Sequence, residues 1–145
     1  MRILAIDDDP VFLELLAGML RMIGYAQVTT MPSGMEALHE LDFSGTLYDC
    51  ILSDMQMPDM DGVAAAREIR ALGGRYASLP IVAVTANAMA DDRERCRAAG
   101  MDDHVAKPID ANALAAALRR AADGRLGGGD AGVRQRSTEP VSAAR

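Results

Sequence analysis

The chain has 145 residues, is 50% apolar and carries a formal net charge of −6, which suits one compact domain rather than two. The acidic balance argues against binding to a phosphate backbone, and 3% aromatic residues leave little for base stacking. No signal peptide or membrane span begins at the N-terminus, and two cysteines are too few for a disulfide framework. We therefore expect a cytoplasmic protein without nucleic-acid or membrane partners.

Short apolar runs predict five strands. The first, third and fourth are apolar throughout, as strands buried on both faces of a parallel sheet are. The second and fifth are more polar, which is typical of sheet edges. In chain order the predicted strands are residues 2–6, 25–30, 50–52, 81–85 and 104–106.

Apolar residues at helical spacing predict a helix after each strand. Asp9, Asp61 and Asp110 are predicted N-caps, Pro10 suits a first helical turn, and Gly24 ends the first helix. The predicted helices are residues 10–23, 33–41, 63–72, 89–99 and 111–122.

This alternation of strands and helices predicts a doubly wound α/β fold. Its sheet has five parallel strands, with five helices on two faces. The polar second and fifth strands favour a flavodoxin-like order, 2-1-3-4-5. We expect this domain to occupy residues 1–123, and residues 124–145, rich in Gly, Ser and Arg, to form a flexible tail.

Carboxylates follow two of the central predicted strands. Asp7 and Asp8 follow the first strand, and Asp54 follows the third. In open α/β sheets, ligands bind beyond the carboxyl ends of the strands, where the strand order reverses. Crowded carboxylates require protons or a cation, and ligand sets made of oxygen alone suit Mg²⁺. Helix capping explains Asp9 and Asp61, but it does not require acids at the ends of both central strands.

A hydroxyl and an ammonium group are predicted at the same rim. Thr85 ends the fourth strand, and Lys107, the only lysine in the chain, follows the fifth. A carboxylate nucleophile, a hard cation, a lysine and a hydroxyl are the groups that phosphoryl transfer requires. Each residue has an alternative explanation when it is considered alone. Thr85 could be a strand-end residue whose hydroxyl bonds to backbone, and Lys107 could be an ordinary solvated surface charge.

Over residues 2–122 the sequence resembles the receiver domains of two-component response regulators. The resemblance rests on four segments, which occur in the family's order. They are IDD at residues 6–8, SDMQMPDMDG at 53–62, VTANAM at 84–89 and AKPI at 106–109.

The resemblance implies that Asp54 is a phosphoacceptor and that Lys107 acts beside it. It implies that Thr85 bonds to the new phosphoryl oxygen and acts as a switch between two states of the domain. It also implies Mg²⁺ held directly by Asp8, Asp54 and the backbone carbonyl of Gln56, with Asp7 acting mainly through water. A histidine kinase or a histidine phosphotransfer protein would supply the phosphoryl group. The output would pass to a protein target through the surface of the fourth helix, fifth strand and fifth helix.

One position departs from the family pattern. The switch residue of the fifth strand is usually Tyr or Phe, whereas this chain has His104. If His104 takes that role, we expect the switch to depend on pH. The alternative is a half-exposed edge-strand histidine without a switch role, and the sequence leaves both open.

The remaining alternatives concern the whole protein. The stretch from Val84 to Ile109 is similar to receivers associated with hybrid histidine kinases. We expect a stand-alone, single-domain receiver without a DNA-binding output domain, and the alternative is a receiver fragment of such a kinase. A haloacid-dehalogenase-type phosphatase would need an aspartate where Gln56 stands. We expect self-phosphorylation and autodephosphorylation rather than conventional enzyme turnover. A dimer formed on phosphorylation is also left open.

Overall fold

The computed structural model describes the backbone of residues 1–86 and 90–127. Within these two ranges, five strands alternate with five helices, and a short 3-10 helix precedes the fourth strand. The strands are β1 (Arg2–Ile6), β2 (Gln27–Met31), β3 (Cys50–Asp54), β4 (Ile81–Thr85) and β5 (Asp103–Ala106). The helices are α1 (Pro10–Met22), α2 (Gly34–Phe43), α3 (Gly62–Ala71), the 3-10 helix η1 (Gly74–Ala77), α4 (Ala90–Ala98) and α5 (Ala111–Gly127).

The strands form one parallel sheet in the order β2-β1-β3-β4-β5. The predicted fold class and strand order are therefore confirmed. All residues of β3 and β4 are buried, whereas β2 has no fully buried residue and β5 has one. Burial on both faces explains why the central strands are apolar throughout.

Both faces of the sheet are covered. The face toward α1 and α5 and the face toward α2, α3 and α4 each have a separate cluster of buried side chains. On the first face these include Ile3, Leu16, Leu52 and Leu118. On the second they include Leu4, Ile51, Ile69 and Ile81. Among residues 1–86 and 90–127, no helix is long and apolar enough to cross a bilayer.

Helices α1, α3 and α5 begin at the aspartates that the sequence predicts as N-caps. Asp9 accepts hydrogen bonds from the backbone of α1, Asp61 from Ala64 in α3, and Asp110 from Ala113 in α5. These contacts satisfy amide groups that lack partners within the helix. Since each helix begins at the carboxyl edge of the sheet, the caps also fix the loops there.

The observed bounds differ from the predicted ones by one or two residues at many ends and by five at the end of α5. β2 begins at Gln27 because the amide of Tyr25 donates to the carbonyl of Leu20 at 2.8 Å, which closes the end of α1. α5 continues to Gly127, into the segment predicted as a tail. Residues 128–145 and Met89 lie outside the described residues, so the division at 123/124 stays a prediction.

The loop after β3 folds back closely over its own strand. The amide of Gly62 donates to the carbonyl of Met55 at 3.1 Å. A Cβ atom at Gly62 would lie 2.9 Å from the Cα of Met55 and directly against the carbonyl oxygen of Asp54. Only glycine therefore permits this approach without displacement of backbone.

We predict that Gly62→Ala lowers the free energy of unfolding by about 1–3 kcal/mol, because a rigid backbone leaves the added methyl group no space. Urea denaturation measures this change. Gly18→Ala in α1 is the control, since nothing lies within 4 Å of its added Cβ, and it should be neutral or stabilising by about 0.5–1 kcal/mol. Equal effects at the two positions would contradict the prediction.

Candidate functional site

The carboxyl ends of four strands bring the predicted site residues together. Asp7 directly follows β1, Asp54 ends β3, Thr85 ends β4, and Lys107 directly follows β5. Parallel strands end at one edge of the sheet, so these side chains reach a common rim. The rim lies beside β1 and β3, where the strand order reverses.

Three carboxylates cluster at this rim. One oxygen from each of Asp7, Asp8 and Asp54 lies within 4.8 Å of the other two. Asp7 is 1% exposed and Asp54 is 6% exposed, while Asp8 faces solvent. The cluster is thus two buried acids with a third at its open side, and its oxygen ligands are those that a hard divalent cation binds.

Backbone amides hold the two buried carboxylates. The amide of Asp9 donates to Asp7 Oδ1 at 2.9 Å, and the amide of Gln56 donates to Asp54 Oδ1 at 3.3 Å. Each carboxylate therefore bonds to the residue two positions later. This arrangement ties the orientation of each acid to the turn that follows its strand.

Lys107 lies among the acids rather than in bulk solvent. Its Nζ is 3.0 Å from Asp7 Oδ2 and 3.5 Å from Asp54 Oδ1, and its side chain is 25% exposed. The backbone amide of Lys107 donates to the carbonyl of Thr85 at 2.8 Å, and the Lys107–Pro108 peptide bond is cis. One ammonium group thus bridges the ends of β1 and β3.

Burial and charge shift the acid and the base in this cluster. Burial raises the pKa of Asp54, the negative charge of Asp7 raises it further, and Lys107 opposes both effects. Burial alone would lower the pKa of Lys107, but the hydrogen bond to Asp7 and the charge of Asp54 outweigh it and raise that pKa. Lys107 therefore neutralises only part of the negative charge of the carboxylates, and a bound cation would neutralise more of it.

A cleft of about 700 Å³ opens beside the acids. Asp8, Gln56 and Thr85 lie on its wall. The wall also includes Met55, Met57, Pro58, Asp61 and Arg95. The cleft gives a ligand access to the exposed side of the carboxylate cluster.

Two neighbours of the site were not predicted. Arg95 lines the cleft, and Phe12 places its ring beside Lys107. Phe12 fits the apolar spacing of α1, so the sequence assigns it to the core. Arg95 alternates with Arg93 and Arg97, and no sequence signal distinguishes it from them.

His104 lies on β5, half-buried, and is paired in register with Ala83 of β4. Side chains alternate along a strand, so Thr85 lies on the same face of the sheet as Ala83. His104 is the register partner of Ala83 and therefore lies on that face too. Ala106, two residues after His104, pairs with Thr85. The structure thus puts His104 and Thr85 on neighbouring strands and the same face, while a switch role for His104 stays a prediction.

Comparison with known proteins gives a consistent result. The response regulator receiver domain family matches residues 3–119. The sensor histidine kinase RcsC of Salmonella typhi is 44% identical over 114 residues, which cover 79% of this chain and 11% of that protein. The hybrid signal transduction histidine kinase L of Dictyostelium discoideum is 41% identical over 112 residues, covering 74% and 6%. The chain thus spans about a tenth or less of the length of these relatives.

Solved structures agree with the sequence relatives. The receiver domain of the sensor histidine kinase PA1611 from Pseudomonas aeruginosa is 41% identical with a TM-score of 0.73, covering 82% of this chain and 94% of that one. That structure contains a magnesium ion coordinated in its active-site cleft. The Vibrio cholerae chemotaxis protein CheY4 is 28% identical with a TM-score of 0.76, covering 83% and 97%. Fold, cluster geometry and sequence therefore agree that this chain belongs to the response regulator receiver domain family.

Proposed function

We propose that Asp54 accepts a phosphoryl group and that this modification is the signal the domain transmits. The observation that carries the proposal is a buried carboxylate at the end of a central strand, 3.5 Å from an ammonium group and beside two further acids. Transfer to a carboxylate requires positioning and neutralisation of charge more than covalent chemistry by other side chains. The strand end and the backbone amide of Gln56 position Asp54. Lys107, together with a cation held by the acids, would neutralise the charge.

In the proposed reaction, an oxygen of Asp54 attacks phosphorus and forms the new P–O bond. The P–N bond of a phosphohistidine breaks, and its electron pair stays on the imidazole nitrogen, which then takes up a proton. With a small donor such as acetyl phosphate, a P–O bond breaks and acetate leaves. Lys107 neutralises charge on the phosphoryl oxygens, and Thr85 donates a hydrogen bond to one of them.

The residues present fit a Mg²⁺ ion. Asp8, Asp54 and the backbone carbonyl of Gln56 would hold it directly, and Asp7 would act mainly through water. When bound, the ion neutralises the negative charge that collects on the transferring group. The cluster of oxygens supports this assignment, as does the magnesium ion in the similar receiver of PA1611.

The donor we propose is a histidine kinase or a histidine phosphotransfer protein. The relatives named as sensor and hybrid histidine kinases support this class of partner. The same site chemistry serves a separate receiver and one joined to a kinase. Beyond self-phosphorylation and hydrolysis of the aspartyl phosphate, we propose no turnover.

For the output we propose a shift between two populated states. A hydrogen bond from Thr85 to the phosphoryl group would draw the end of β4 inward, and the backbone contact between Thr85 and Lys107 links that end to the loop after β5. The surface of α4, β5 and α5 would change in response, with His104 on the face that Thr85 occupies. A protein target would bind this surface.

Incubation with acetyl phosphate and Mg²⁺ should add one phosphoryl group to the wild-type chain, detected by intact-protein mass spectrometry. Asp54→Ala should gain none, because the attacking oxygen is absent. Asp59→Ala is a matched control on the same loop and should be phosphorylated like the wild type. A phosphoryl group on Asp54→Ala, or none on the wild type, would refute the assignment.

The output proposal predicts a difference between two substitutions at Thr85. With beryllofluoride as a phosphoryl mimic, ¹H–¹⁵N spectra of the wild type and of Thr85→Ser should change at β5, including His104. In Thr85→Ala the changes should stay near Asp54, since the hydroxyl donor is missing. Changes at β5 that persist in Thr85→Ala would show that the hydroxyl does not carry the signal.

A further inference from the structure

The ammonium group of Lys107 contacts more than its two carboxylate partners. An ammonium has three donor hydrogens, and the carboxylates of Asp7 and Asp54 lie 3.0 and 3.5 Å from Nζ. The centroid of the Phe12 ring lies 4.2 Å from the same nitrogen. A cation within about 6 Å of the ring centroid, over its face, is attracted by the ring quadrupole. Phe12 is therefore a third partner of the ammonium group.

Phe12 is held in this place by the site itself. Asp7 accepts a hydrogen bond from the amide of Asp9, and the side chain of Asp9 accepts one from the amide of Phe12 at 3.3 Å. The aromatic ring of Phe12 contacts the Lys107 ammonium group, and that group forms an ion pair with Asp7. The contacts thus form a closed cycle from Asp7 through Asp9, Phe12 and Lys107 and back to Asp7. The carboxylate that pairs with the lysine therefore also fixes the helical turn that carries Phe12.

Phe12 packs against the core as well as against the ammonium group. Phe12 is only partly buried at the margin of the α1 and α5 core, whereas its neighbour Leu13 is 7% exposed and lies within that core. The chain has two phenylalanines, and the other, Phe43, is 71% exposed and contacts His39. One of two phenylalanines thus lies against the only lysine in the sequence.

We propose that Phe12 is a positioning residue for phosphoryl transfer, because its ring face holds the Lys107 ammonium between Asp7 and Asp54. The proposal rests on the function proposed above for Asp54. Lysine has a long, flexible stem, and a second, nonpolar contact limits the positions its charge can occupy. The ring adds this restraint without competing for the carboxylates, since it offers no hydrogen-bond donor.

The first test examines the contact in the unphosphorylated, full-length chain. Lysine labelled with ¹³C at Cε gives a single NMR signal here, because Lys107 is the only lysine. Its Hε protons should be shifted upfield by the Phe12 ring in the wild type and in Phe12→Tyr. In Phe12→Leu, which keeps an apolar side chain but has no ring, the signal should move to its random-coil position. A random-coil position in the wild type would overturn the proposal.

The second test measures phosphorylation with acetyl phosphate and Mg²⁺ in the same variants. Loss of one cation–π contact in Phe12→Leu should slow transfer about three- to tenfold. Phe12→Tyr should restore a rate close to that of the wild type, which a loss of packing alone would not explain. Phe43→Leu is the control for removal of a phenylalanine and should leave the rate unchanged. A wild-type rate in Phe12→Leu, or an equally slow Phe12→Tyr, would overturn the proposal.

The two tests separate failure of this inference from failure of the proposed function. If no variant, the wild type included, gains a phosphoryl group, the role proposed for Asp54 fails, and the positioning role that rests on it fails too. The Lys107 signals then still decide whether the contact exists. If the wild type is phosphorylated and its Lys107 signal shows no ring shift, only the inference about Phe12 fails. Urea denaturation of each variant verifies that all are folded.

Discussion

The charge balance around Asp7 and Asp54 is the constraint on which the site depends. Two buried carboxylates at the ends of adjacent strands repel each other, and burial adds a cost for each ionised group. Lys107 offsets part of this cost through contacts at 3.0 and 3.5 Å. The raised pKa of Asp54 indicates that one ammonium group does not complete the compensation. In the proposed function, this remaining deficit of positive charge favours a bound cation, and that cation would in turn offset the negative charge of the transferring phosphoryl group.

The fold makes this crowding possible because parallel strands present their carboxyl ends at one edge. α1 and α3 begin at that edge, with Asp9 and Asp61 as their caps. The positive ends of helix dipoles therefore point toward the rim and favour negative charge there. The close approach at Gly62 fixes the loop that follows Asp54. Backbone geometry rather than side-chain packing thus sets the position of Asp54, the proposed nucleophile.

The sequence was sufficient for the architecture because its signals are local and agree with one another. Apolar runs located the central strands, and capping aspartates located the starts of three helices. Asp7, Asp8, Asp54, Thr85 and Lys107 were predicted at strand ends, and the structure brings them to one rim. The sequence did not predict that Lys107 would lie between Asp7 and Asp54 at these distances, since that depends on how β5 docks.

Other features could not be read from the sequence because two physical explanations fit the same pattern. Phe12 satisfies the helical spacing of a core residue equally well whether it packs on leucine or on an ammonium group. The predicted end of α5 is residue 122, just before a polar segment that begins at Gly124, but the helix tolerates Gly124 and continues to Gly127. The start of β2 depends on the hydrogen bond that Tyr25 makes back to α1. Each of these outcomes is decided by tertiary contacts.

Calorimetric titration of Mg²⁺ into the wild type and into Lys107→Met measures how the charge of Lys107 affects cation binding. We expect one ion per chain in both proteins. Binding to Lys107→Met should be roughly tenfold tighter, since the buried carboxylates then have no internal cation that repels the ion. Absence of binding to the wild type, or weaker or unchanged binding to the variant, would contradict the claim that a deficit of positive charge defines this site.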